Sequence, residues 1–195
     1  MSFFSKFCTA VMALGIASGA GATTCEQWSY FSSTEEFLEP LSVSSKKIGK
    51  HLTASEYSDG VVFSSRRKGK DVWLDIEKFP GSSSAIASTR ALMMAGRLMD
   101  ENFERLVLED DGKPIFAISE SKLREIGCQF IWSREGGQNP LALMRELYQA
   151  MVWYEDGRPM STLWNGSLLG DTSLAAQLSA QVLMPEWAMS AVEME

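Results

Sequence analysis

The 195 residues include only one histidine and three cysteines. That excludes a three-histidine zinc site, a four-cysteine zinc finger and an iron–sulfur cage. The lone imidazole, His51, sits between Lys50 and Leu52, and the chain has no G-x-S-x-G elbow. A Ser-His-Asp or Cys-His machine therefore has little to work with, and His51 reads as a surface residue. Both the Walker and the Rossmann glycine patterns are missing. Positive charge is also short, with 18 Lys and Arg against 25 Asp and Glu and a net charge of −7. A phosphate backbone wants a basic surface, so a nucleic-acid partner is not expected. No 20–50-residue period repeats, which leaves a solenoid unsupported.

The uncharged stretch Phe7–Ala22 follows Lys6 and ends in Ala20-Gly21-Ala22. It is shorter than the ~20 apolar residues of a membrane helix. A basic start, a short apolar core and an A-x-A site predict a secretory signal peptide over 1–22, cleaved after Ala22. The expected mature chain, 23–195, is one soluble domain, periplasmic or secreted, with no integral span after cleavage. Cys8 leaves with the leader. Cys25 and Cys128 remain as an even pair in an oxidising compartment, and one disulfide between them is expected.

The mature chain reads as α+β, with antiparallel β-hairpins packed against three to four helices. Ser33–Leu38 predicts a capped helical turn stopped by Pro40. Residues 41–60 show little periodicity and are expected to be mostly irregular. Val61–Phe63 and Val72–Ile76 flank a charged glycine turn and predict a hairpin over 61–79. A helix follows over 84–100, capped by one of Ser82, Ser83 or Ser84. Asp111-Gly112 predicts the turn of a second hairpin over 103–118. Ser119 is a cap for a short helix, and Gly127 its stop, so 128–132 is read as a strand, the alternative being a helix that continues to Ser133. Asn139-Pro140 opens a helix with Leu143, Met144, Leu147, Tyr148 and Met151 on one stripe. Asp171-Thr172-Ser173 is the expected cap of a last helix over 172–184, which Pro185 should break or kink.

Residues 46–70 carry seven Lys and Arg against two acids, in a chain that is otherwise acidic. Arg66, Arg67, Lys68 and Lys70 are the candidate binding cations, since such separation steers anionic partners. Arg134, before Gly136-Gly137 and the Asn139-Pro140 helix start, is a candidate clamp for a carboxylate or phosphate. Trp153, Tyr154 and Trp164 are candidate groove residues, because aromatic side chains offer area with few rotors. Glu109-Asp110-Asp111 reads as a solvated turn. Asn165-Gly166-Ser167 matches a glycan acceptor.

No catalytic residue, metal site or cofactor is assigned. The expected function is non-catalytic binding in the cell envelope: an interaction, inhibitor or immunity-type module. Its expected partner is another envelope or secreted protein, or an anionic ligand. The alternatives are an envelope hydrolase using a carboxylate pair or a Ser–Lys arrangement, and a small-ligand carrier.

Overall fold

The structure is a computed structural model that describes residues 43–99, 101–130 and 140–192. The predicted turn at 33–38, Cys25, Arg134 and Asn139 lie outside the described residues. The described elements run α1 (Ile48–Ala54), β1 (Val62–Lys68), β2 (Asp71–Lys78), α2 (Ala87–Leu98), β3 (Arg105–Asp110) and β4 (Lys113–Ser119). They continue through α3 (Glu120–Gln129), α4 (Pro140–Ala150), β5 (Val152–Trp153) and α5 (Leu168–Leu178) into a π-helical stretch, Ser179–Ala188.

The α+β class holds, but the strands are one mixed sheet and not separate antiparallel hairpins. Their order is β1-β2-β3-β4-β5, with β2 and β3 parallel and the other pairs antiparallel. The cause is α2, which carries the chain back so that β3 starts beside the start of β2. Parallel strands need such a crossover and are usually buried on both faces. Accordingly Val72, Trp73, Leu74 and Ile76 of β2 are all buried, as are Leu106, Val107, Leu108 and Glu109 of β3.

On one face, Val72, Leu74, Ile76, Leu106, Leu108, Phe116 and Ile118 join the helices in a single core. The predicted α4 stripe is there: Leu143, Met144, Leu147, Tyr148 and Met151 are all buried. Burial pushes the Tyr148 phenol up in pKa, and its hydroxyl is paired with Thr89 at 2.9 Å and also with Ser179. A phenol this deep would otherwise leave an unsatisfied polar atom.

Several local expectations are corrected. The 41–60 stretch contains α1, whose Gly49 lies flat on β1: an added Cβ there would sit 2.6 Å from the Ser64 carbonyl carbon. Thr53 Oγ1 accepts from the Phe63 amide at 2.8 Å, so the strand and not periodicity holds this short helix. Gly127 is inside α3, which runs on to Gln129, so Cys128 and Gln129 are helical and not strand. α5 begins at Leu168, with Ser167 as its cap accepting from the Gly170 amide. Asp171 instead lies buried in the first turn and accepts from the Asn165 and Gly166 amides, both at 3.0 Å. The helix does not stop at Pro185: its winding widens to π from Ser179, and the π stretch passes through Pro185. Before α2, the Ser84 hydroxyl accepts from the amide of the N-cap residue Ile86 at 3.4 Å, and Ile86 itself makes no side-chain cap.

Among the described residues no helix is long and apolar enough to cross a membrane.

Candidate functional site

The basic run is largely neutralised by acids from distant parts of the chain. Arg66 on β1 donates to both carboxylate oxygens of Glu109 on β3, the Nε bond being 2.8 Å. Arg67 reaches Glu101 at 3.0 Å and the Asn102 carbonyl at 2.8 Å. The Ser45 hydroxyl, and after it Arg67, hold the Glu101 carboxyl below its usual pKa. Lys70 pairs with Glu104 at 2.6 Å. Lys68 lies over the Trp73 ring at 4.5 Å. Glu109 is only 5% exposed in its side chain, so it is a buried member of an ion pair and not part of a solvated turn.

The sheet's second face carries a row of register partners across all five strands: Arg66, Trp73, Val107, Ala117 and Val152. Its apolar cluster takes only strand residues and Tyr154. Trp73 is boxed by Arg66 at 5.1 Å, Lys68 and the edge of Tyr154 at 5.8 Å. Arg105 covers the other side of Tyr154 and pairs with Asp71 at 2.6 Å. Cation–π contacts of this kind screen an aromatic from water while keeping the charge at the surface. One row further along, Asp75 is the register partner of Glu109. Burial first, and then the charge of Glu109, raise the Asp75 carboxyl to about 6 from an ordinary 3.8.

The aromatic candidates divide between the two faces. Trp153 lies on the helical side and packs against Phe116, the ring centres 4.5 Å apart and the planes tilted by 48°. Trp164 is half-buried against the main core, while Tyr154 belongs to the second face. The backbone turns at Asp156-Gly157 and comes back along β5. Trp153 N–H donates to the Arg158 carbonyl at 2.8 Å, and Met160 N–H to the Met151 carbonyl at 3.3 Å. This return leaves a shallow groove of about 610 Å³ lined by Trp153, Arg158, Pro159, Met160, Ser161, Thr162 and Leu163. Beside it in sequence stand three exposed large apolar side chains: Leu163 at 72%, Leu168 at 61% and Leu169 at 85%.

The structure therefore brings Arg66 and Lys68 to Trp73 and, through it, to Tyr154. It leaves Arg67 and Lys70 on outward ion pairs, and puts Trp153 with the groove. The three leucines and Asp75 were missed. A signal for the leucines exists: Leu168-Leu169 stands between Gly166-Ser167 and Gly170-Asp171, an apolar pair inside a polar turn. The late placing of the α5 start hid it, because Leu168 and Leu169 at that start look outward. Among the described residues no group of three or more His, Cys, Asp or Glu is placed to hold a metal ion. No family model, no curated protein and no solved structure matches the chain.

Proposed function

We propose that this chain is an exported, non-catalytic binding protein of the cell envelope, and that it binds another protein through the groove beside Trp153 and the leucines at 163, 168 and 169. The observation that carries this reading is the exposure of those three leucines. Exposed large apolar side chains raise the free energy of the uncomplexed protein, and surfaces that carry them are favoured as interaction sites. An anionic ligand held by the basic run is the weaker form of the reading, because Arg66, Arg67 and Lys70 already have carboxylate partners.

The test immobilises the exported chain and passes native envelope extract over it at low and high salt. Wild type is compared with the triple variant L163N/L168N/L169N. One protein retained at near-stoichiometric yield, kept at high salt and lost by the triple variant, supports the reading. A loss of at least about tenfold in apparent affinity is expected if one of these side chains is a hot spot. The variant should unfold at nearly the same denaturant concentration as wild type, since exposed positions contribute little to the core. Equal capture by both proteins, or no capture, overturns it.

Export and the disulfide belong to the same reading. Cys128 is buried on α3, and a loop closed from Cys25 to Cys128 would restrict the unfolded chain by about 4–5 kcal/mol in the entropy model. The exported protein should begin at Thr23 and have a mass two hydrogens below the dithiol form. Intact-mass measurement before and after reduction checks both. A mature N-terminus at Met1, or two alkylatable thiols without reduction, would remove that part of the proposal.

A further inference from the structure

Three charged side chains meet across β1, β2 and β3 with one acceptor too many. Arg66 commits two donors to Glu109. Asp75, the register neighbour of Glu109, receives the Ile76 backbone N–H, but its buried Oδ1 has no hydrogen-bond partner. The charged groups acting on Asp75 are Glu109 and Asp110 from β3, Glu77 from its own strand, and Arg66 from β1, where its register partner is the uncharged Ser64. Three of the four charges are negative, and the one cation is already engaged. An ionised Asp75 is thus poorly served: one oxygen is buried without a donor, beside another carboxylate. A protonated Asp75 resolves this, because the new O–H can donate to Glu109, and neighbouring carboxyls commonly share a proton in this way.

We propose that Asp75, Glu109 and Arg66 form an acid-strengthened latch across the β1–β2–β3 side of the sheet. Proton uptake by Asp75 replaces a carboxylate repulsion with a hydrogen bond and ties β2 more firmly to β3, where Glu109 also holds Arg66 of the edge strand β1. The direction follows from linkage. Asp75 takes its proton near pH 6 when folded, against 3.8 as its ordinary value. Between those values the folded chain holds a proton that the unfolded chain does not. The folded state is therefore favoured at the acid end of that window, and the advantage is lost as pH rises through 6.

The test is denaturant unfolding of the full exported chain at pH 5 and pH 7, for wild type and Asp75→Asn. The asparagine keeps the shape and a donor toward Glu109 but cannot titrate. Asp75 should lower the wild-type unfolding constant about tenfold from pH 7 to pH 5 relative to the variant. The variant should match or exceed wild-type stability at pH 7. Carboxyl-carbon NMR of wild type is the independent readout, and it stands even if the variant fails to fold. A midpoint near 6 for Asp75, falling in Glu109→Gln, supports the latch. A midpoint below about 4.5, or the same pH dependence in wild type and Asp75→Asn, overturns it.

Discussion

Arg124→Ala should unfold at a much lower denaturant concentration than wild type, with an expected loss of about 3–5 kcal/mol. The side chain is 7% exposed, on the second turn of α3, and every nitrogen of its guanidinium is used. Nε donates to Glu120 one turn earlier, Nη1 to the Met99 carbonyl, and Nη2 to the Glu101 carbonyl at 2.6 Å. The group also lies 5.6 Å from the Phe103 ring centre. Met99 is the C-cap of α2, so the cation sits where the negative end of that helix needs one. Truncation removes the donor from the buried Met99 carbonyl and from the part-buried Glu101 carbonyl, and strips Glu120 of its partner. Unmade bonds of this kind cost more than the net value of the bonds themselves. Two further variants separate the causes. Arg124→Met restores the stem but not the donors and should recover only the packing share. Arg124→Lys keeps the charge but loses the planar fork, and should fall well short of wild type. Urea midpoints for the three decide. If methionine matches wild type, the donors contribute little and α3 is held by packing alone.

What could be read from the sequence, and what could not, divides by range. The strand alternation at Val72, Leu74 and Ile76 and the α4 stripe from Leu143 to Met151 are local patterns, and both elements occur as read. The failures are long-range. Arg66 finds Glu109 across 43 positions, Arg67 finds Glu101 across 34, and Lys70 finds Glu104 across 34. No local window shows those partners, so a run of cations looked like a binding surface. α1 fails for the same reason: its cause is a flat contact of Gly49 with β1, not an apolar period. Asp171 was read correctly as a residue that binds backbone N–H groups, but at the wrong position. The amides it takes precede it, so it organises the entry to α5 from inside the first turn. For the candidate site, Trp153 was legible as an aromatic beside a turn. The leucines were not, because exposure belongs to the fold and not to the residue.

Gly127 is the most instructive misreading, and it carries the second large prediction. Glycine after an apolar helix ordinarily signals a C-terminal cap. Here it sits inside α3 at the crossing with α2. An added Cβ would lie 2.4 Å from both the Arg97 nitrogen and the Gly96 carbonyl carbon. The opposite glycine shows the same contact: a Cβ on Gly96 would lie 2.2 Å from the Leu123 carbonyl oxygen. Both obstacles are backbone, so no rotamer change relieves them. The two helices touch main chain to main chain because both residues lack a side chain. Helix propensity alone argues for the opposite sign, since alanine exceeds glycine by about 1 kcal/mol in a helix interior. Sterics should win, because the helices must separate and take apart the packing around Leu92, Leu123 and Ile126, which are buried in the shared core. Overpacking typically costs about 1–3 kcal/mol, occasionally more, and a backbone–backbone clash belongs at the upper end. Gly96→Ala and Gly127→Ala should each destabilise by that amount or more. The double variant should cost less than the sum, because the first separation already makes room for the second methyl. Gly157→Ala is the control: nothing lies within 4 Å of its added Cβ, and only its positive φ of 70° opposes the change, worth about 1–2 kcal/mol. Equilibrium unfolding of the four proteins tests the ordering. If Gly96→Ala proves more stable than wild type, α2 and α3 do not approach this closely and the helix crossing is wrong.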